Sequence, residues 1–286
     1  MSFWLLHTLN GLAFGGLLFL LSAGFSLIFG LMRIPNLAHG ALFMLGAYVG
    51  AAALQVGAGF WGGALAAGLA AALVGGVMER YLLRRLGANE NAQVLATIGV
   101  SFIVADAMVA IWGGDPRTIP APDYLRATVE LAGVSFPLYR LAVVAIACLV
   151  AALLWLAIDR TRIGAVLRAG VDDPQMVRGV GIPILRLFTL VFSFGAALAG
   201  VGGLLAGPIL SAYPGLDIDM LPLALIVVIF GGIGSILGAV VASFFIGIVY
   251  TFTRVLVPDL SYVLLFVPMV IVLVVRPRGL FGRVAV

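Results

Sequence analysis

The residues able to do chemistry in this chain are few, and they lie where polar groups are costly. Asn36 and His39 stand at the mouth of an apolar run, Thr97 and Ser101 lie four apart inside another, and Asp106 is an acid in that same run. An ionisable group at membrane depth is a functional candidate by default. His39 therefore has two readings, as a group touching a translocation pathway or as one that hydrogen-bonds within the entrance to its own helix. Asn36 reads as a cap or turn residue and, by its closeness to His39, as a second pathway candidate. Thr97 and Ser101 share one helix face; they either line a polar pathway or bond their own backbone. Asp106 is a possible proton or cation site, but it lies near enough to a helix end to reach water, and the structural reading is favoured.

This set excludes several chemistries. The basic residues are 16 arginines with no lysine, so there is neither a P-loop lysine nor one for a Schiff base. His7 and His39 are the only histidines, Cys148 is the only cysteine, and no nucleophile has a base in reach. No disulfide or thiolate metal site is available, and Cys148 reads as a small core residue. An enzyme is not expected, nor a cofactor bound by this chain.

The elements that must position these residues are membrane helices. Hydrophobic residues make up 63% of the chain, charged residues 10%, and mean hydropathy is +1.22, which is outside the range of soluble domains. A span needs about 20 apolar residues. Nine segments follow, near 3–31, 37–54, 60–83, 92–112, 139–158, 187–205, 220–230, 236–256 and 262–275. The start lacks the positive flank of a signal peptide and is expected to be retained. The seventh segment is short and ends at GGIGS, as a broken or re-entrant helix would. The proline-rich connection 113–138 is placed outside.

Arginines test the orientation. Arg33, Arg80, Arg84, Arg85, Arg160, Arg162, Arg168, Arg178, Arg186, Arg276, Arg278 and Arg283 fall on one side, against Arg117, Arg126, Arg140 and Arg254 on the other. The positive-inside rule then puts the N-terminus outside and the C-terminus in the cytosol of a bacterial-type inner membrane.

The chain reads as a single permease domain, 1–286, divided by a central cytosolic segment, 159–186, with five arginines and three aspartates. Asp173 can cap a helix and Pro174 fits its first position; Gly179 and Gly181 offer places to stop. Such a segment is either a docking handle for a cytosolic partner or a solvated loop. Each half has a glycine-rich interruption, at 36–50 and 231–238, the usual pointer to inverted repeats with a pathway between them. The expected fold is an all-α polytopic bundle of two pseudo-symmetric halves with broken or re-entrant helices. Glycines four apart, such as Gly11/Gly15 and Gly46/Gly50, are packing residues first.

The run GFSLIFGLMRIPNLAHG at 24–40, continuing through MLGAY at 44–48, resembles the first-repeat signature of branched-chain amino-acid ABC permeases, and more narrowly the LivH-type subunit. The central segment is similar to that family's coupling segment in Thr161-Arg162-Ile163-Gly164, Arg168-Ala169, Asp173-Pro174 and Gly181-Ile182. FGGIGSILGA at 230–239 and RPRGLFG at 276–282 match as well. Two positions depart: Ala41 stands where many members carry an acid, and Ala165 where many carry arginine. The resemblance implies a second related permease, two cytosolic ATPases holding ATP and magnesium, and an external solute-binding protein. It also implies a coupling role for Arg168, Asp173, Pro174 and Gly181, with outer loops near 116–131 and 211–219 receiving the binding protein. Urea, short amides and aromatic acids are cargoes of related permeases; the short N-terminal region favours amino acids. The competing reading is a secondary transporter or channel without ATP, driven by protons through Asp106 or His39.

Overall fold

The computed structural model describes residues 2–87 and 89–282; Arg283, assigned above to the basic side, lies outside them. The chain is built from α1 (Ser2–Phe25), α2 (His39–Gln55), α3 (Gly59–Val77), a closing turn α4 (Arg84–Leu86), α5 (Glu90–Trp112), α6 (Leu138–Asp159), α7 (Arg162–Asp172), α8 (Pro174–Gly179), α9 (Ile184–Leu210), α10 (Leu216–Gly231), α11 (Ile236–Leu256) and α12 (Ser261–Val275). Six-residue π-helical stretches extend α1 through Leu31 and α3 through Leu83. Among the described residues, seven helices are long and apolar enough to cross a membrane. The last of these is α12 with the 3-10 turn Pro258–Leu260 before it; two further apolar helices fall short, α2 and α10, of 17 and 16 residues. At 1.5 Å per residue they reach about 25 Å, less than the ~30 Å hydrocarbon thickness.

All nine sequence segments are helical, and the pairings among them are those of two interlocked halves. Long α1 corresponds to long α9, short α2 to short α10, and α3 to α11. Accordingly α1 packs on α11 as α9 packs on α3; α2 lies between α3 and α9 as α10 lies between α11 and α1. The correspondence extends to α5 beside α2 and α12 beside α10. Each half thus lends its first helix to the other, and neither core is complete alone.

Glycine makes these crossings close. A Cβ on Gly46 of α2 would collide with the Gly200 backbone of α9, and one on Gly247 of α11 would lie 2.5 Å from the Cα of Gly15 on α1. Without a hydrophobic driving force in lipid, such backbone contact is what holds helices together. Cys148 departs from its core reading: it is exposed on α6.

Outside the spans two features extend the sequence reading, which allowed a short element around Leu125 to Leu131 and a single short helix in the central segment. The connection after α5 contains a hairpin, β1 (Thr128–Leu131) paired antiparallel with β2 (Val134–Pro137). Ala132 and Gly133 both have positive φ, 50° and 80°, as a two-residue hairpin turn with the strands' own twist requires. The central segment is largely helical rather than a loop around one helix, because Thr161 caps α7 by accepting from Ile163 N.

Candidate functional site

Two non-helical breaks meet at the centre of the molecule and a third lies at the far end of α10. After α1 the backbone of residues 32–38 turns back into the bundle before α2 begins, so α2 starts well below the surface. The His39 ring, fully buried, reaches Leu21 O at 3.0 Å; Leu21 lies ten residues before the end of the α1 π-helical extension, about 15 Å of helix. The second break, 211–215, precedes α10. Its first turn meets that of α2: a Cβ on Gly40 would lie 2.5 Å from Asp217 O and 3.0 Å from Leu221 Cβ. The third, 232–235, packs at the other end of α10, where a Cβ on Gly30 would collide with Gly234.

Two short helices therefore begin against each other inside the bundle. Unsatisfied N–H groups and aligned peptide dipoles make a helix N-terminus attractive to negative charge. Around this junction four of the sequence candidates come together. Asn36 is fully buried, and its Oδ1 accepts from Ala38 N at 3.1 Å, so it does cap the turn leading into α2. Its Nδ2 faces no protein acceptor among the described residues. The Thr97 hydroxyl on α5 donates to Val94 O at 2.9 Å and accepts from Leu37 N at 3.2 Å, pinning the break between α1 and α2. Ser101 lies one turn further along the same face of α5.

His39 is both a local hydrogen-bonding residue and a potential ligand. Leu21 O can only accept, so Nε2 carries the hydrogen, and Nδ1 of the neutral ring is an acceptor. That Nδ1 has no partner among the described residues, and neither has Asp217 Oδ1. The junction thus offers a buried donor from Asn36 and buried acceptors from His39 and Asp217. Asp217 was missed in the sequence because it sits in a polar-looking stretch before the seventh segment, which begins at Leu216 rather than near 220. The signal available was an aspartate at the second position of a helix that follows a glycine, Gly215, whose φ is +97°.

Asp106 is elsewhere. It is exposed on α5, away from the Gln93, Thr97, Val104 and Met108 face that is buried.

The coupling candidates occupy the arginine-rich face. Asp173 caps α8, its Oδ1 accepting from Gln175 N at 3.0 Å and Met176 N at 2.9 Å; Pro174 fills the first position, and Gly181 turns the chain with φ +84°. Arg168 is half-buried on α7, with Nη1 enclosed and without a partner among the described residues. Met176 and Val180 stand out from this segment 67% and 70% exposed. Sequence reading passed over them, although apolar residues four apart on a short polar helix are the pattern of a docking ridge. Asp172 binds Arg33 across 3.2 Å, joining the end of α7 to the first break.

On the opposite face the two loops read from the sequence as outer are joined by backbone. Arg117 N donates to Ala212 O at 2.7 Å and Ala212 N to Arg117 O at 2.9 Å. Tyr213 donates to Asp219 at 2.6 Å, and burial, then the Asp219 carboxylate, push its phenol above the usual range so that it stays a donor.

The family model described as branched-chain amino acid transport system / permease component matches residues 7–273. The BraD permease protein of the high-affinity branched-chain amino acid transport system of Pseudomonas aeruginosa is 28% identical over 98% of this chain and 96% of its own length. The LivH permease protein of Escherichia coli K12 is 27% identical over the same shares, and the probable LivH permease of Methanocaldococcus jannaschii 26% over 84% and 78%. No solved structure matches significantly. With a match over nearly its whole length and a multi-pass helical bundle to go with it, this chain belongs to the branched-chain amino acid transport system permease family, in its LivH-type branch.

Proposed function

We propose that this chain is the permease subunit of an ATP-driven importer that moves branched-chain amino acids by alternating access, after delivery by an external binding protein. The observation that carries this reading is the buried junction of α2 and α10. An amino acid at neutral pH is a zwitterion. Its carboxylate needs donors, as a helix N-terminus and Asn36 Nδ2 supply; its ammonium needs acceptors, as Asp217 Oδ1 and His39 Nδ1 supply. The apolar surroundings of Phe25, Phe43 and Leu221 suit an aliphatic side chain.

In this reading Asn36, His39, Thr97 and Ser101 lie on the pathway, and Asp217 joins them. In the same reading the N-terminus faces the outside and the C-terminus the cytosol of a bacterial-type inner membrane, which the arginine distribution supports. ATP and magnesium belong to two separate ATPase subunits, a second related permease completes the pathway, and the joined outer loops receive the binding protein. Arg168, Asp173, Pro174 and Gly181 shape the segment that docks on the ATPase, with Met176 and Val180 as its contact ridge. A proton-driven carrier is disfavoured by the position of Asp106 outside the junction.

The test is to purify the chain gently from its own membrane with its partners and to measure leucine uptake and ATP hydrolysis in liposomes. Replacing Asp173 and Pro174 together with glycine is expected to leave the complex folded but to separate hydrolysis from uptake. Leucine uptake under a proton gradient by the chain alone, with no ATP, would overturn the reading.

A further inference from the structure

A cavity of about 660 Å3 lies apart from the junction, on the arginine-rich face where the end of α3 meets the start of α9. It is bounded by Arg80, Arg84, Arg178, Arg186, Thr189 and Leu190, among others. Its floor is neutral. Glu79, turned inward by the π-helical extension of α3, is buried and bonds the Arg84 guanidinium at 3.0 and 3.1 Å. Arg84 also donates to Leu185 O at 2.9 Å and to the Thr189 hydroxyl at 2.6 Å, so its charge is matched and its position fixed. Above this floor Arg80, Arg178 and Arg186 are exposed and form no ion pair among the described residues. The cavity therefore carries an excess of positive charge in guanidinium form, the side chain best matched to phosphate oxygens.

Its position selects the source of the phosphate. On α3, Leu69, Leu73 and Val77 are exposed at four-residue steps and lead directly to Tyr81 and Arg80; on α9, Phe194 and Leu190 lead in the same steps to Arg186. Two apolar stripes on adjacent helices, each ending at an arginine, have the shape of a lipid. A free phosphate would use the arginines and leave the stripes without purpose.

We propose that this cavity binds the headgroup of an anionic glycerophospholipid, with its acyl chains lying along the exposed α3 and α9 stripes. Bound there, the lipid spans helices from both halves. Through Arg178 it also holds α8 against the start of α9, so lipid charge sets how firmly that segment is presented.

The experiment takes the full-length chain in neutral detergent and titrates it with phosphatidylglycerol, phosphatidylcholine or inorganic phosphate, reading retained lipid by native mass spectrometry and thermal stability in parallel. Phosphatidylglycerol is expected to be retained and to stabilise, phosphatidylcholine and phosphate are not. Replacing two of the three open arginines, by R80Q and R186Q, should weaken phosphatidylglycerol binding about thirtyfold. R80K with R186K should restore most of it, and R85Q, which removes a charge outside the cavity, should leave binding unchanged. Equal retention by the glutamine variant, equal retention of phosphatidylcholine, or displacement by inorganic phosphate would overturn the proposal. So would loss of the lipid from a complex in which a second permease covers the α3 and α9 stripes.

Discussion

At the scale of single residues, the buried junction shows how one side chain serves two masters. Asn36 spends its oxygen on Ala38 N and His39 spends Nε2 on Leu21 O, while Asn36 Nδ2 and His39 Nδ1 have no partner among the described residues. Each is locked by its structural bond, which removes rotamer freedom before a ligand arrives. His39→Leu is expected to remove both functions, and loss of one charge-assisted or neutral hydrogen bond weakens leucine binding about tenfold. His39→Gln, which can still donate to Leu21 O, should fold as well as the wild type and lose less. Leucine uptake as a function of concentration, with thermal stability alongside, checks both; equal uptake constants in wild type and His39→Leu would remove His39 from the pathway. His39 and Asn36 were legible in the sequence because polar residues in an apolar chain stand out. Asp217 was not, since only the packing of α10 against α2 turns a loop-like aspartate into a buried one.

At the scale of elements, α8 is the most exposed decision in the chain. Six residues cannot hold a helix in water unaided. The two cap bonds from Asp173 and the fixed φ of Pro174 do so here, and they point Met176 and Val180 outward. Met176→Asp with Val180→Asp should leave the thermal stability of the chain within ~0.5 kcal/mol, as exposed substitutions do. The same pair should abolish co-purification of the ATPase. Retention of ATPase by this variant would place the contact elsewhere. The start of α8 at Pro174 follows from local rules and was read from the sequence, and its end falls at Gly179, one of the two glycines offered as stops. The preceding α7 was not read, although six of its eleven residues are apolar and Thr161 caps it, because the arginines and aspartates around it read as a solvated loop; Leu167 and Gly170 are buried against the bundle.

At the scale of the whole molecule, stability rests on crossings where glycine faces backbone. The pairing of α2 with α9 and of α1 with α11 joins residues from opposite ends of the sequence, so each half completes the other. Gly46→Val is expected to force α2 away from Gly200, costing ~3 kcal/mol or more; it should lower folded yield and melting temperature together. Gly99→Ala is the control: nothing lies within 4 Å of a Cβ there, and alanine should be neutral or stabilise by up to ~1 kcal/mol. A Gly46→Val protein that melts like the wild type would show that the crossing is looser than its geometry. The thermal unfolding midpoint in detergent measures both.

What the sequence determined by itself was everything set by neighbours along the chain: the apolar runs, the basic side, the cap of α8, and the glycine interruptions. Lipid makes those rules strong, because a backbone at membrane depth must be helical or shielded by protein. What only the tertiary structure decided was which runs exchange partners and what the interruptions face. Short α2 and α10 look like weak spans when read singly. Brought together, they set two helix starts against each other inside the bundle, with Asn36, His39 and Asp217 buried there and each keeping a polar atom unpaired among the described residues, a juxtaposition set by packing between distant segments that no local pattern encodes.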